Sequence, residues 1–227
     1  MAVLDDVRHA VAGVQDRITA AGGDPARIRL IAVTKGQPAT LVRAALDTGL
    51  VDLGESYAQE LVDKDAALAD GPEPAVEPRW HWIGNLQSNK VRQVAPLVHL
   101  WQSIDRLSLA AEVARRAPGA AVLVQVNVSG APQQGGCAPA LTASMVEGCT
   151  DLGLEVRGLM AIGAQGPVEA QRAGFRTLRA LADDLGLPER SMGMSDDLEA
   201  AVAEGTTMVR IGRALFSPRG GSAAMGN

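Results

Sequence analysis

Of the 21 basic residues in this chain only three are lysines, Lys35, Lys64 and Lys90. Any chemistry that needs a primary amine must draw on these three. Lys35 follows the apolar run Leu30-Ile-Ala-Val-Thr34 and precedes Gly36-Gln37-Pro38, so it closes a short buried strand. A lysine so placed is expected to be partly desolvated. Desolvation favours the neutral amine, the form that attacks an aldehyde to give a Schiff base. The plain alternative is an exposed lysine at a strand end. Lys64, in Leu61-Val-Asp-Lys-Asp65, is expected on a solvated helix face, and Lys90 beside the start of a helix.

A second group of residues lies near the other end of the chain. Ser195 precedes Asp196-Asp197 and a helical run, as an N-cap would. Gly212 follows the strand-like Met208-Val-Arg-Ile211 and precedes Arg213-Ala-Leu-Phe216, enough for one helical turn. Backbone N–H groups of Gly212 and Arg213, with a serine hydroxyl, suit a phosphate. Arg210 would face the same place and stays charged, so it would donate to an unprotonated aromatic nitrogen. An amine, a phosphate cup and an arginine together describe a site for pyridoxal phosphate. An ordinary cap, a tight turn and a structural ion pair are the alternatives for Ser195, Gly212 and Arg210.

The elements that must hold these residues alternate. A leading helix over residues 3–20 has apolar positions at helical spacing, Val3, Val7, Val11, Val14 and Ile18. Strands are predicted at 29–34, 51–53, 80–83, 98–102, 121–128, 155–162, 190–193 and 208–211. Helices between them are predicted at 38–46, 55–68, 88–95, 106–116, 138–151, 168–185 and 196–203. Strand–helix alternation implies a parallel sheet, and eight units favour a closed (β/α)8 TIM barrel, of the α/β class, over a doubly wound sheet. In such a barrel the chemistry lies at the C-terminal strand ends, where Lys35, Glu55, Ser195 and Arg210 fall. His81, inside a strand, reads as a satisfied core histidine. One barrel domain is predicted over residues 1–218 and a flexible tail over 219–227.

Composition closes several other routes. The chain has 227 residues, 47% of them apolar, so a sizeable core is available. Aromatics are 3% and the net charge is -5, which disfavours nucleic acid as a partner. No apolar run approaches the roughly 20 residues a membrane helix needs. The N-terminus lacks the pattern of a secretory signal, so a cytoplasmic protein is expected. Cys137 and Cys149 lack CxxC spacing and His9, His81 and His99 are dispersed, so free thiols and no metal site are expected.

Six segments then align with one family. Ala32-Val-Thr-Lys35, Gly54-Glu-Ser-Tyr-Ala-Gln-Glu60, Trp80-His-Trp-Ile-Gly-Asn-Leu-Gln-Ser-Asn-Lys90, Gly158-Leu-Met160, Ser191-Met-Gly-Met-Ser195 and Val209-Arg-Ile-Gly212 resemble the pyridoxal phosphate homeostasis proteins. That family looks like the N-terminal barrel domain of alanine racemase standing alone, and the resemblance runs from about residue 5 to 217. It implies pyridoxal phosphate held as an internal aldimine on Lys35. It implies Arg210 at the pyridine nitrogen, phosphate at Ser195 and the backbone of Gly212 and Arg213, and Ser191 and Met194 nearby. This chain has Ser56 where the family usually has asparagine. It has Ala131 for a glutamate, and Gln133 or Gln134 for a lysine.

Three activities compete. A carrier would buffer and deliver pyridoxal phosphate, for vitamin B6 homeostasis, with apo-enzymes as recipients. It would act as a monomer with no catalytic residue. A racemase or lyase would need a second base, and the only tyrosine, Tyr57, is early in the helix after the second strand. A cofactor-free aldolase would need an acid/base beside Lys35, for which Glu55 is the best candidate. The resemblance favours the carrier.

Overall fold

The computed structural model describes residues 2–216. Its eight strands are β1 (Arg29–Val33), β2 (Asp52–Glu55), β3 (Arg79–Trp82), β4 (Val98–Ile104), β5 (Ala121–Gln125), β6 (Glu155–Met160), β7 (Glu189–Ser191) and β8 (Met208–Ile211). They are parallel and close in sequence order, β8 pairing back onto β1 through Ile31 opposite Arg210. Outside them run α1 (Ala2–Ala20), α2 (Ala39–Asp47), α3 (Ala58–Ala69), α4 (Val91–Val94), α5 (Leu107–Arg116), α6 (Thr142–Asp151), α7 (Val168–Asp184), α8 (Leu198–Ala203) and α9 (Arg213–Phe216). This is the (β/α)8 barrel expected from the alternation. The leading α1 packs against α2, α8 and α9. The tail predicted over 219–227 lies outside the described residues.

Successive side chains of a strand face opposite sides of the wall. In β3 this sends Trp80 and Trp82 into the apolar layer between strands and helices and turns His81 inward. Ile31, Leu100, Leu123, Met160 and Met208 form a separate apolar cluster. Asp52, His81, Gln102, Ser191 and Arg210 are also buried, and they are joined by hydrogen bonds.

Most boundaries shift by a few residues from the sequence reading, and three of the shifts have a visible structure behind them. The strand expected over 121–128 ends at Gln125, leaving β4 the longest. Beyond it the Gly-rich loop folds back, Asn127 N–H donating to the Cys137 carbonyl and Cys137 N–H to the Gln125 carbonyl. The helix expected at 88–95 is a 3₁₀ turn, Ser88–Lys90, running into α4. The helix expected from 196 begins at Leu198, because the Asp197 carboxylate accepts the Met194 N–H at 2.5 Å and bends the chain there.

Candidate functional site

β1 and β8 are neighbours, so the two halves of the expected site meet at one edge of the mouth. Gly212 lies against the end of β1: a Cβ there would sit 3.4 Å from the Val33 carbonyl oxygen. Lys35 is two residues further on. Its side chain is exposed, which corrects the partial burial expected for it. The reason is local. β1 stops at Val33, and the chain turns through Gly36 at φ +71°, Gln37 N–H donating to the Thr34 carbonyl at 2.9 Å. Lys35 therefore stands on a turn at the rim, not in the wall.

Arg210 is buried and reaches across the interior from β8. Its Nη1 donates to Ser191 Oγ at 2.7 Å and its Nη2 to the Ala161 carbonyl at 2.8 Å. Burial pushes its guanidinium down to about 10, opposed by the charge of Asp197, so it remains a cation at neutral pH. No carboxylate touches it among the described residues. Two of its five N–H donors are used by these protein groups. Ser191 passes the chain on: its hydroxyl donates to Gln102 Oε1 at 2.6 Å, Gln102 Nε2 meets His81 Nδ1 at 2.8 Å, and His81 Nε2 meets Asp52 Oδ1 at 2.8 Å. Arg79 completes it on Asp52 Oδ2 at 2.8 Å. With His81 neutral and its proton on Nε2, every donor points from Arg210 towards Asp52. Burial holds the His81 imidazole below its ordinary value, the Asp52 carboxylate opposing. His81 is thus the satisfied core histidine expected.

Ser195 does not cap α8, a correction to the sequence reading; it faces α9. Its Oγ accepts the Ala214 N–H at 3.3 Å. Ser195, Gly212 and Arg213 are therefore brought together at the β7 and β8 ends, as expected. Arg213 is exposed and paired with Asp196. Ser191 is buried beneath Arg210, whereas Met194 is exposed on the loop above. Gly193 holds that loop at φ +99°, where a Cβ would come within 2.6 Å of Ala201 Cβ on α8.

Lys64 departs furthest from its expectation. It is buried, not on a solvated face. Its Nζ donates to Glu55 Oε1 at 2.5 Å, the Thr34 carbonyl at 2.7 Å and Glu60 Oε2 at 2.8 Å. Glu55 is fully buried by this pairing and also accepts the Thr34 hydroxyl at 2.7 Å. The Glu60–Lys64 spacing on α3 reads as a surface pair in the sequence. The missed signal is Glu55, an acid in a strand buried on both faces, which demands a cation. Lys90 is exposed on the 3₁₀ turn. Gln134 is tied into its own loop, accepting the Ser129 hydroxyl at 2.5 Å. Both cysteines are free and buried, burial pushing the Cys149 thiol up to about 11. No cluster of metal-ligating side chains occurs among the described residues, nor a helix long and apolar enough to cross a membrane.

The closed parallel barrel shares the fold of the alanine racemase barrel domain. The alanine racemase of Clostridium difficile superposes with a TM-score of 0.67 at 16% identity, over 92% of this chain and 56% of that one. No family model matches the chain. The pyridoxal phosphate homeostasis protein of Pseudomonas aeruginosa is 44% identical over 225 residues, 96% of either chain. PipY of Synechococcus elongatus, solved with PLP bound, superposes with a TM-score of 0.77 at 33% identity, over 89% of this chain and 99% of that one. The chain belongs to the pyridoxal phosphate homeostasis protein family.

Proposed function

We propose that this chain binds pyridoxal 5'-phosphate at the mouth of its barrel and serves as a carrier that buffers and delivers it, with little or no turnover. The observation that carries this reading is Arg210, a buried cation that gives two of its five donors to described residues and stands on the strand that pairs with β1, ahead of the Lys35 turn. A pyridine nitrogen is a pure acceptor and fits it, so the residues present suit the group. Lys35 supplies the amine that condenses with the cofactor aldehyde, releasing water. Arg210 donates to the ring nitrogen, held in place by Ser191. The Ser195 hydroxyl and the backbone N–H groups of Gly212 and Arg213 take the phosphate, with Met194 on the loop above. The binding unit is the single barrel domain of residues 1–218, acting in the cytoplasm as a monomer, with apo-enzymes as recipients.

The competing activities lack a partner for the lysine. Glu55, the acid/base an aldolase would use, is committed to Lys64 and Thr34. Tyr57, the one tyrosine, is 59% exposed at the start of α3. Condensation with Lys35 would give a visible absorbance band that borohydride abolishes while leaving the cofactor covalently attached to Lys35; Lys35→Ala should show neither the band nor the attachment. A wild-type protein that shows no band after incubation with the cofactor overturns the reading. Racemase and lyase assays on the loaded protein are expected to show negligible turnover.

A further inference from the structure

Lys64 takes no part in the site just described, yet its hydrogen bonds converge on the backbone around Lys35. One of its three donors holds the carbonyl of Thr34, the residue before Lys35. Another holds Glu60, whose Oε2 accepts the N–H of Gly36, the residue after Lys35, at 2.7 Å. The third holds Glu55, which also takes the Thr34 hydroxyl. Both peptide groups flanking Lys35 are thus anchored to a single turn of α3. A buried ion cluster adds little stability over apolar residues of the same size, so its presence is better explained by the conformation it imposes.

We infer that Lys64, with Glu60, is a positioning residue for Lys35. The inference rests on the reading that Lys35 carries the cofactor. Lys35 is exposed on a turn whose Gly36 sits at positive φ. A condensing amine has to meet its aldehyde at about 3–3.5 Å, and small misplacements cost large factors in reaction. The clamp fixes the Lys35 Cα and leaves only the side chain to swing. Glu60 is held as a carboxylate for this role: desolvation raises it, but the hydrogen bonds from Lys64 and Gly36 outweigh that and keep it below its ordinary range.

The test compares two ligands on the full-length protein. Pyridoxine 5'-phosphate carries an alcohol in place of the aldehyde, so it can fill the phosphate and ring contacts but cannot condense with Lys35. Lys64→Met and Glu60→Ala are expected to weaken pyridoxal phosphate binding by about tenfold or more. The same variants should hold pyridoxine 5'-phosphate within about twofold, because the contacts of Arg210, Ser195 and Gly212 are untouched. Glu60→Gln, which keeps an acceptor for the Gly36 N–H, should stay near wild type. Equal loss of both ligands would mean a merely structural role and overturn the inference; so would unchanged affinity for pyridoxal phosphate. If Lys64→Met does not fold, the pair Glu55→Gln/Lys64→Met removes the cation with its buried partner, and Glu60→Ala, at a side chain 34% exposed, decides alone. A wild-type protein that takes up neither ligand removes the carrier reading instead.

Discussion

His81 is kept neutral by the two groups it joins, since Gln102 donates to one ring nitrogen and Asp52 accepts from the other. Protonating Nδ1 would set an N–H against the Gln102 amide inside a buried chain. The linkage has a definite sign. The unfolded chain binds a proton on His81 near its ordinary 6.5, and the folded chain only at lower pH. Stability therefore falls as pH drops from about 6.5 towards the depressed folded value, with a limiting slope of about 1.4 kcal/mol per pH unit. Urea unfolding across that window should be flatter in His81→Gln, whose amide can still accept from Gln102 and donate to Asp52. Some slope should survive, because His99, its ring 6.0 Å from His81, is also held down by burial. An unchanged slope in the variant would remove His81 as its source. The same residues mark the limit of the sequence. Lys35, Ser195, Arg210 and Gly212 could be read because each lies next to a strand end. The chain from Ser191 through Gln102 to Asp52 could not, because its members are scattered over separate strands and only closure of the barrel joins them. Lys64 was misread for a related reason, its deciding partner Glu55 lying on β2.

Among the elements, the loop between β7 and α8 is tightly constrained. Gly193 combines a positive φ with a backbone pressed against Ala201, so a methyl group there is strained twice. Gly193→Ala should destabilise the fold by about 2–4 kcal/mol, from the backbone conformation and from overpacking together. It should also displace Met194 and Ser195, which follow directly, and so weaken cofactor binding more than it lowers the urea midpoint would require. A variant with wild-type midpoint would show that the loop can move aside freely. Strand and helix periods were legible at this scale because parallel strands covered on both faces read as unbroken apolar runs, as in Leu30–Val33 and Ala121–Val124. Their ends were not. β5 stops at Gln125 although Val126-Asn127-Val128 continues the apolar pattern, because the returning Gly135–Cys137 segment captures its backbone.

For the molecule as a whole, a ligand that binds only the folded barrel stabilises it by mass action, about 2.7 kcal/mol at a free concentration of 100 Kd. For a domain of this size that corresponds to a rise in Tm of about 5–11 °C. Pyridoxal phosphate should produce it in the wild type, and Lys35→Ala should lose most of it. A shift that survives in the mutant would move the main binding energy from the lysine to the phosphate contacts. Barrel closure has a consequence for how the protein is made. The strands that lead to Lys35 and carry Arg210 meet only through the β1–β8 seam, where Ile31 lies opposite Arg210, the pairing that spans nearly the whole sequence. Contacts of such long range form late and slowly. During synthesis the lysine leaves the ribosome long before the arginine exists, so a half-made chain offers an amine but no pocket. If the chain takes up the cofactor as proposed, uptake would report that the seam has closed, and the absorbance of a refolding sample would time that pairing.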